Sequence, residues 1–110
     1  MDYQNNTKDL LEEFAGSIEQ LAHTIECIAR LEEEKAETAS LGHHDRMDGI
    51  LKREQVYILK LRGLEQKRLR LAEAMGWKGL TFRQILSQST AEQAGRLSPL
   101  FTRLDSQIKH

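Results

Sequence analysis

The sequence predicts an all-α protein: a long antiparallel helical hairpin, coiled-coil-like, with a short third helix and a C-terminal helix completing a bundle-like arrangement. Three observations predict it. Apolar residues recur at spacings of three and four over two long stretches, glycines and cap residues separate those stretches, and Val56 is the only valine in 110 residues. Hydrophobic residues make up 39% of the chain and charged residues 30%. That balance disfavours a thick core and suits long helices sharing narrow apolar seams. One helical domain over residues 1–110 is expected at this length.

The first helix is expected over residues 7–40. Residues 1–6 are polar and expected to fray, Asn6 or Thr7 offers a cap, and Asp9 sits in the first turn where the helix dipole is positive. Leu11, Phe14, Ile18, Leu21, Ile25 and Ile28 then form a heptad seam, widened by Leu10 and Leu31. Gly16 is a mild weakness inside it. At Leu41-Gly42-His43-His44-Asp45 the pattern breaks: Gly42 suits a helix end and Asp45 a new cap. So short a link folds the helices back on each other, in preference to one unbroken helix through Gly42.

The second helix is expected over residues 45–75, with Met47, Ile50, Tyr57, Leu61, Leu64, Leu71 and Met75 on its seam. Glu54 and Arg68 fill the two seam positions that are not apolar. A second row, Leu51, Ile58, Leu69 and Ala72, lies beside it and is open to three occupants: the C-terminal segment, a second copy of the chain, or a client protein. Gly76 then fits the position just past a helix end, with Trp77 folding back onto the last turn. Thr81 caps a short helix over 81–87 that places Phe82, Ile85 and Leu86 on one side. The last helix, residues 90–109, is capped by Ser89 or Thr90. Pro99 either kinks it or starts a fresh helix after Ser98, and one kinked helix is the preferred reading.

Charge favours the hairpin. Residues 8–39 carry net −6, residues 45–75 net +3 and residues 76–110 net +3, and Asp2 brings the total to −1. Exposed ion pairs contribute about 0–1 kcal/mol each, so they select partner and orientation more than they set stability. No global field draws nucleic acid or membrane. The single Cys27 cannot form an internal disulfide and points to a reducing compartment. The N-terminal residues lack a signal peptide's basic and apolar regions, and no apolar run is long enough to span a bilayer, so a cytoplasmic protein is expected.

No set of residues here assembles into a catalytic site, and no enzyme activity or cofactor is expected. His43-His44-Asp45 superficially resembles a metal cluster, but adjacent histidines in a glycine turn diverge and no further ligand stands at suitable spacing. A solvated turn is preferred. Glu32-Glu33-Glu34 is a solvated charge run rather than a calcium loop. Cys27 has only His23 as a local base and is preferred as a half-buried thiol. Lys60, Arg62, Lys67, Arg68 and Arg70 make a basic surface, but they alternate with seam leucines and lack stacking aromatics, against nucleic-acid binding. Trp77 is a candidate partner anchor, with covering the open end of the hairpin as its plainer role. Leu97, Leu100, Phe101, Leu104 and Ile108 present more apolar surface than a polar tail needs, and such spacing serves helix recognition.

Residues 31–86 carry a more specific pattern. An acidic first helix ends near a Gly/Asp turn, followed by Glu54-Gln55, Leu64-Glu65-x-x-Arg68, Met75-Gly76 and Thr81-Phe82-x-x-Ile85. In this order and spacing they resemble the FlgN family of flagellar export chaperones, and the first helix fits by periodicity. The resemblance implies a helical hairpin with shorter C-terminal helices, and a cytoplasmic chaperone binding hook–filament junction (hook-associated) proteins before type III export. It implies client contact through the C-terminal region, hence Leu97, Leu100, Phe101, Leu104 and Ile108. Contact with the export machinery and a homodimer are further expectations. Two departures are that the family's last helix usually continues where this sequence ends at His110, and that Pro99 is unusual there. The alternative function is a structural coiled-coil protein, for oligomerisation or as an adaptor, with no export client.

Overall fold

Four helices follow one another: α1 (Tyr3–Ser40), α2 (His44–Ala74), α3 (Phe82–Gln88) and α4 (Ala91–Ile108). This computed structural model describes the backbone of residues 3–108 and the side chains of residues 8–107. Among them there is no strand, and the all-α hairpin is as the seams predict. The molecule is elongated, with principal extents of 58 × 26 × 20 Å.

α1 begins at Tyr3, a turn ahead of the expected start, so Asn6 and Thr7 lie inside the helix rather than capping it. Nothing in Gln4-Asn5-Asn6-Thr7 opposes helix: all four have middling propensity and none is proline. The turn closes as the glycine signal requires. Gly42 takes φ +74°, the His43 N–H donates to the Thr38 carbonyl at 3.1 Å, and the Gly42 N–H donates to the Ala39 carbonyl at 3.2 Å. That pair of bonds is a Schellman stop. α2 starts one residue early, with His43 rather than Asp45 at the cap position and no side-chain cap bond. Asp45 lies in the first turn, where its charge still meets the positive end of the dipole.

The same stop recurs at the far end of α2. Gly76 has φ +81°, and the Trp77 and Gly76 N–H groups donate to the Ala72 and Glu73 carbonyls at 2.8 and 3.0 Å. The chain then turns into α3, opened by a reciprocal capping box between Thr81 and Gln84. Thr90 and Gln93 form the matching box at α4, the Gln93 N–H donating to Thr90 Oγ1 at 3.1 Å and the Thr90 N–H to Gln93 Oε1 at 3.0 Å. Pro99 lies within α4, which runs through it as one helix, not two. Residue 109, placed in this helix by sequence, is outside the described residues.

α1 is the central element. One side packs antiparallel on α2; another packs on α4. Between them lie Phe14, Ile18 and Leu97, all fully buried, with Leu11, Leu21, Leu64 and Leu71 around them. Buried Ser17 and Thr24 satisfy their hydroxyls by donating to the Phe14 and Gln20 carbonyls at 2.6 and 2.7 Å.

Ion pairs set the registers. Glu34 meets Arg53 at 2.8 Å and Lys35 meets Glu54 at 3.5 Å between α1 and α2. Between α1 and α4, Arg96 reaches Glu12 at 3.2 Å and Glu19 at 3.6 Å, and Arg103 reaches Glu26 at 3.1 Å. Both numbers rise together in the second set, so α4 runs parallel to α1. Much of the acidic charge of α1 is thus answered by α4 and not by α2.

Candidate functional site

The apolar face of α4 is covered by its own molecule. Leu97 is fully buried, and Phe101 and Leu104 are buried with it. The Phe101 ring meets Phe14 edge-on at 6.2 Å and stacks on Phe82 at 4.2 Å with the planes 3° apart. Leu100 is half-buried against the same cluster. Trp77 is also buried, edge-on to Phe14 at 5.5 Å, where it closes the open end of the hairpin. Ile108 is the last residue of α4, and its side chain lies outside those described. The structure therefore gathers Trp77, Leu97, Phe101 and Leu104 into one place, and that place is the core.

What stays open is on α2. Among the described residues α4 packs on α1 and α3 but not on α2, so the second apolar row of α2 lacks the intramolecular cover that sequence allowed for it. Leu51 is 39% exposed, Ile58 37% and Leu69 52%, while Ala72 alone in that row is buried. Leu59 is 65% exposed beside them. Of the large apolar side chains that are exposed among the described residues, all but Leu41 at the hairpin tip belong to α2. Leu51, Ile58 and Leu69 are 7 and 11 residues apart, which puts them on one helix face along about 27 Å.

Separation of α2 from α4 leaves a groove of about 540 Å³ between them. Leu21 and Ile25 of α1 and Leu61, Phe82 and Leu104 supply its apolar surface. Arg62, Glu65, Gln66 and Arg68 of α2 line the rest. On α2 its lining runs from Leu61 to Arg68, about two helical turns.

The polar residues near this face differ in whether they are already engaged. Arg68 binds Glu65 through two guanidinium nitrogens, Nε donating to Oε2 at 3.1 Å and Nη2 to Oε1, which holds the Glu65 carboxyl below its usual value. A hydrogen bond to Glu54, and then the Glu54 charge, push the Glu32 carboxyl above its usual value, while the same hydrogen bond holds Glu54 below its own; Lys35 lowers both. Both polar positions of the α2 seam are thus explained: each carries an ion pair at the edge of the interface. Lys60, Arg62, Lys67 and Arg70, by contrast, make no ion pair among the described residues.

Sequence identified the second row of α2 but left its occupant open. Val56 and Leu59 lie in neither apolar row and carried no signal of their own. His23 Nε2 is 3.7 Å from Cys27 Sγ on an exposed turn. No group of three or more metal-ligating side chains occurs among the described residues, and no helix among them is long and apolar enough to cross a membrane. No family model, curated protein or solved structure matches the chain, so its binding properties are read from these surfaces.

Proposed function

We propose that this protein is a binding scaffold for helices of other proteins, acting as a cytoplasmic flagellar export chaperone for hook–filament junction proteins. The observation that carries the reading is the uncovered apolar row of α2 beside an open apolar groove. Isolated exposed leucines are ordinary, but a file of them along one helix face is a feature of partner surfaces. The choice of client comes from the FlgN-like pattern over residues 31–86. In this mechanism the client's amphipathic helix is shielded until export, and release follows from competition without any covalent step.

The test is calorimetric titration of the full chain with a peptide spanning the terminal amphipathic helix of a junction protein. Saturable one-to-one binding is the expected result. A stable, concentration-independent oligomer that ignores the peptide would replace this reading with that of a structural coiled coil.

A further inference from the structure

We infer that the outward face of α2 between Asp48 and Arg62 is a self-complementary interface, on which a second copy of the chain packs antiparallel with Gln55 at the two-fold centre. This goes beyond the binding-scaffold reading and does not depend on the identity of any client.

The distal half of the hairpin has the thinnest cover in the molecule. α4 runs parallel to α1 with Arg103 beside Glu26, and it ends five residues later at Ile108, level with about residue 31. Glu34 meets Arg53 and Lys35 meets Glu54 across the hairpin, so residue 31 is level with about residue 57 of α2. From there to the tip, α1 and α2 have only each other among the described residues. Leu41, Leu51 and Val56 are exposed in this part, and Ile58 and Leu59 at its edge; of the exposed large apolar side chains described, Leu69 alone lies well away from it.

At about 100° per residue, Asp48, Leu51, Gln55, Ile58, Leu59 and Arg62 share one sector of α2, turned away from Ile50 and the α1 seam. All six are exposed. Lys60 and Lys67 point elsewhere, which leaves one acid and one base inside the sector and Lys52 at its border.

The order of these residues reads alike from both ends. Leu51 and Leu59 stand four residues either side of Gln55, and Asp48 and Arg62 stand seven. Turned end for end about Gln55, a second copy therefore brings its Ile58 and Leu59 level with Leu51, and its Arg62 level with Asp48. The two-fold supplies each contact twice. Gln55 meets its own counterpart, an amide that both donates and accepts. Leu69 of one copy also comes level with the turn that carries Leu41 of the other.

Charge selects this register. Arg62 has no ion pair among the described residues, and Asp48 holds Lys52 at 3.5 Å with both side chains more than three-quarters exposed, so each is open to a further partner. A parallel pair would set Asp48 on Asp48 and Arg62 on Arg62. An antiparallel pair centred five residues further on would match Leu51 with Leu69, but it brings Asp48 level with Glu73. A partner helix of one charge sign would meet like charge at one end of the face.

Sedimentation velocity of the full chain across a wide concentration range should show a reversible monomer–dimer equilibrium. Leu51→Glu and Leu59→Glu, at exposed positions and with helicity checked by circular dichroism, should each weaken the dimer about tenfold or more. Asp48→Arg and Arg62→Asp should each weaken it several-fold, and the two combined should restore it. These residues lie 14 apart, about 21 Å along one helix, so restoration reports a contact between copies. Gln55→Cys in a Cys27→Ser background should cross-link as a disulfide dimer far faster than Gln66→Cys in the same background. A chain that stays monomeric, a charge swap that restores nothing, or equal cross-linking at the two positions overturns the inference. If that monomeric chain still binds a junction-protein helix, the chaperone reading stands without this interface. If the dimer behaves as stated and no junction-protein helix binds, the interface stands and the chaperone reading falls.

Discussion

The Arg68 guanidinium lies over the Phe82 ring, 5.7 Å from its centroid, and so fastens α2 to the start of α3. Phe82 in turn stacks on Phe101 of α4, and Phe101 meets Phe14 of α1. One arginine thereby ends a chain of rings that joins all four helices. Arg68→Ala removes the cation–π contact and the Glu65 pair together, each worth about 0.5–1 kcal/mol at a partly exposed site. A loss of about 1 kcal/mol in urea denaturation is expected. Arg68→Lys should recover less than half of it, because an ammonium cannot both lie flat on the ring and fork onto a carboxylate. Full recovery by lysine would show that charge alone matters at this position.

The same pair sets a pH dependence. Hydrogen bonding to Arg68 holds the folded-state pKa of Glu65 below its ordinary value of 4.5. A depressed folded-state pKa contributes stability that is present above the unfolded-state value and lost as pH falls through the folded one. Between pH 5 and pH 3, therefore, the wild type should lose more stability than Arg68→Gln. Solvent screens a carboxylate this exposed, so the difference is at most about 0.5 kcal/mol. Glu32 and Glu54 shift in opposite senses: the raised Glu32 adds stability at low pH that fades as pH rises, while Glu54 does the reverse. Their slopes oppose, which leaves the Glu65 contribution visible. Denaturation midpoints of both proteins across this range check it.

Core and surface leucines separate clearly. Leu97 is fully buried between α4 and α1, whereas Leu69 is more than half exposed on α2. Leu97→Ala should cost about 2–5 kcal/mol, the range for a buried leucine leaving a cavity. Leu69→Ala should change stability by about 0.5 kcal/mol or less. Urea unfolding of the two variants measures this directly. Comparable losses would mean that Leu69 is covered in solution, for instance by a second copy.

The hairpin, its glycine stops and the Thr81 cap were legible, with Thr90 one of two candidates for the next cap, because each is a local signal: seam spacing, Gly42, Gly76 and the cap residues. The binding face was not, because deciding which helix covers which is a tertiary question. The apolar file on α4 could have packed against the second row of α2 or against α1, and the two are equivalent in sequence. Two clues to the outcome were nonetheless present. Glu12, Glu19 and Glu26 recur every seven residues, matching Arg96 and Arg103, also seven apart. Ala15 and Ala22, next to the α1 seam on that acidic side, are small enough for close approach and are buried. Together they mark a second face of α1 suited to α4. With α4 committed to α1, the row on α2 was left for something else.

Glycines at the helix ends and inside α2 make opposite predictions for one substitution. Gly42 holds φ +74°, where an L side chain crowds the carbonyl; Gly42→Ala should destabilise by about 1–2 kcal/mol. The space around it is open, so the cost is backbone strain and not a clash. Gly63 has an ordinary helical conformation on the exposed side of α2, and a Cβ there meets no atom within 4 Å. Gly63→Ala should stabilise by about 0.5–1 kcal/mol, by restricting the unfolded chain and favouring helix. Thermal denaturation should therefore move in opposite directions for the two variants. A drop in stability from Gly63→Ala would mean that another molecule approaches α2 closely at that point, on the flank between Lys60 and Lys67.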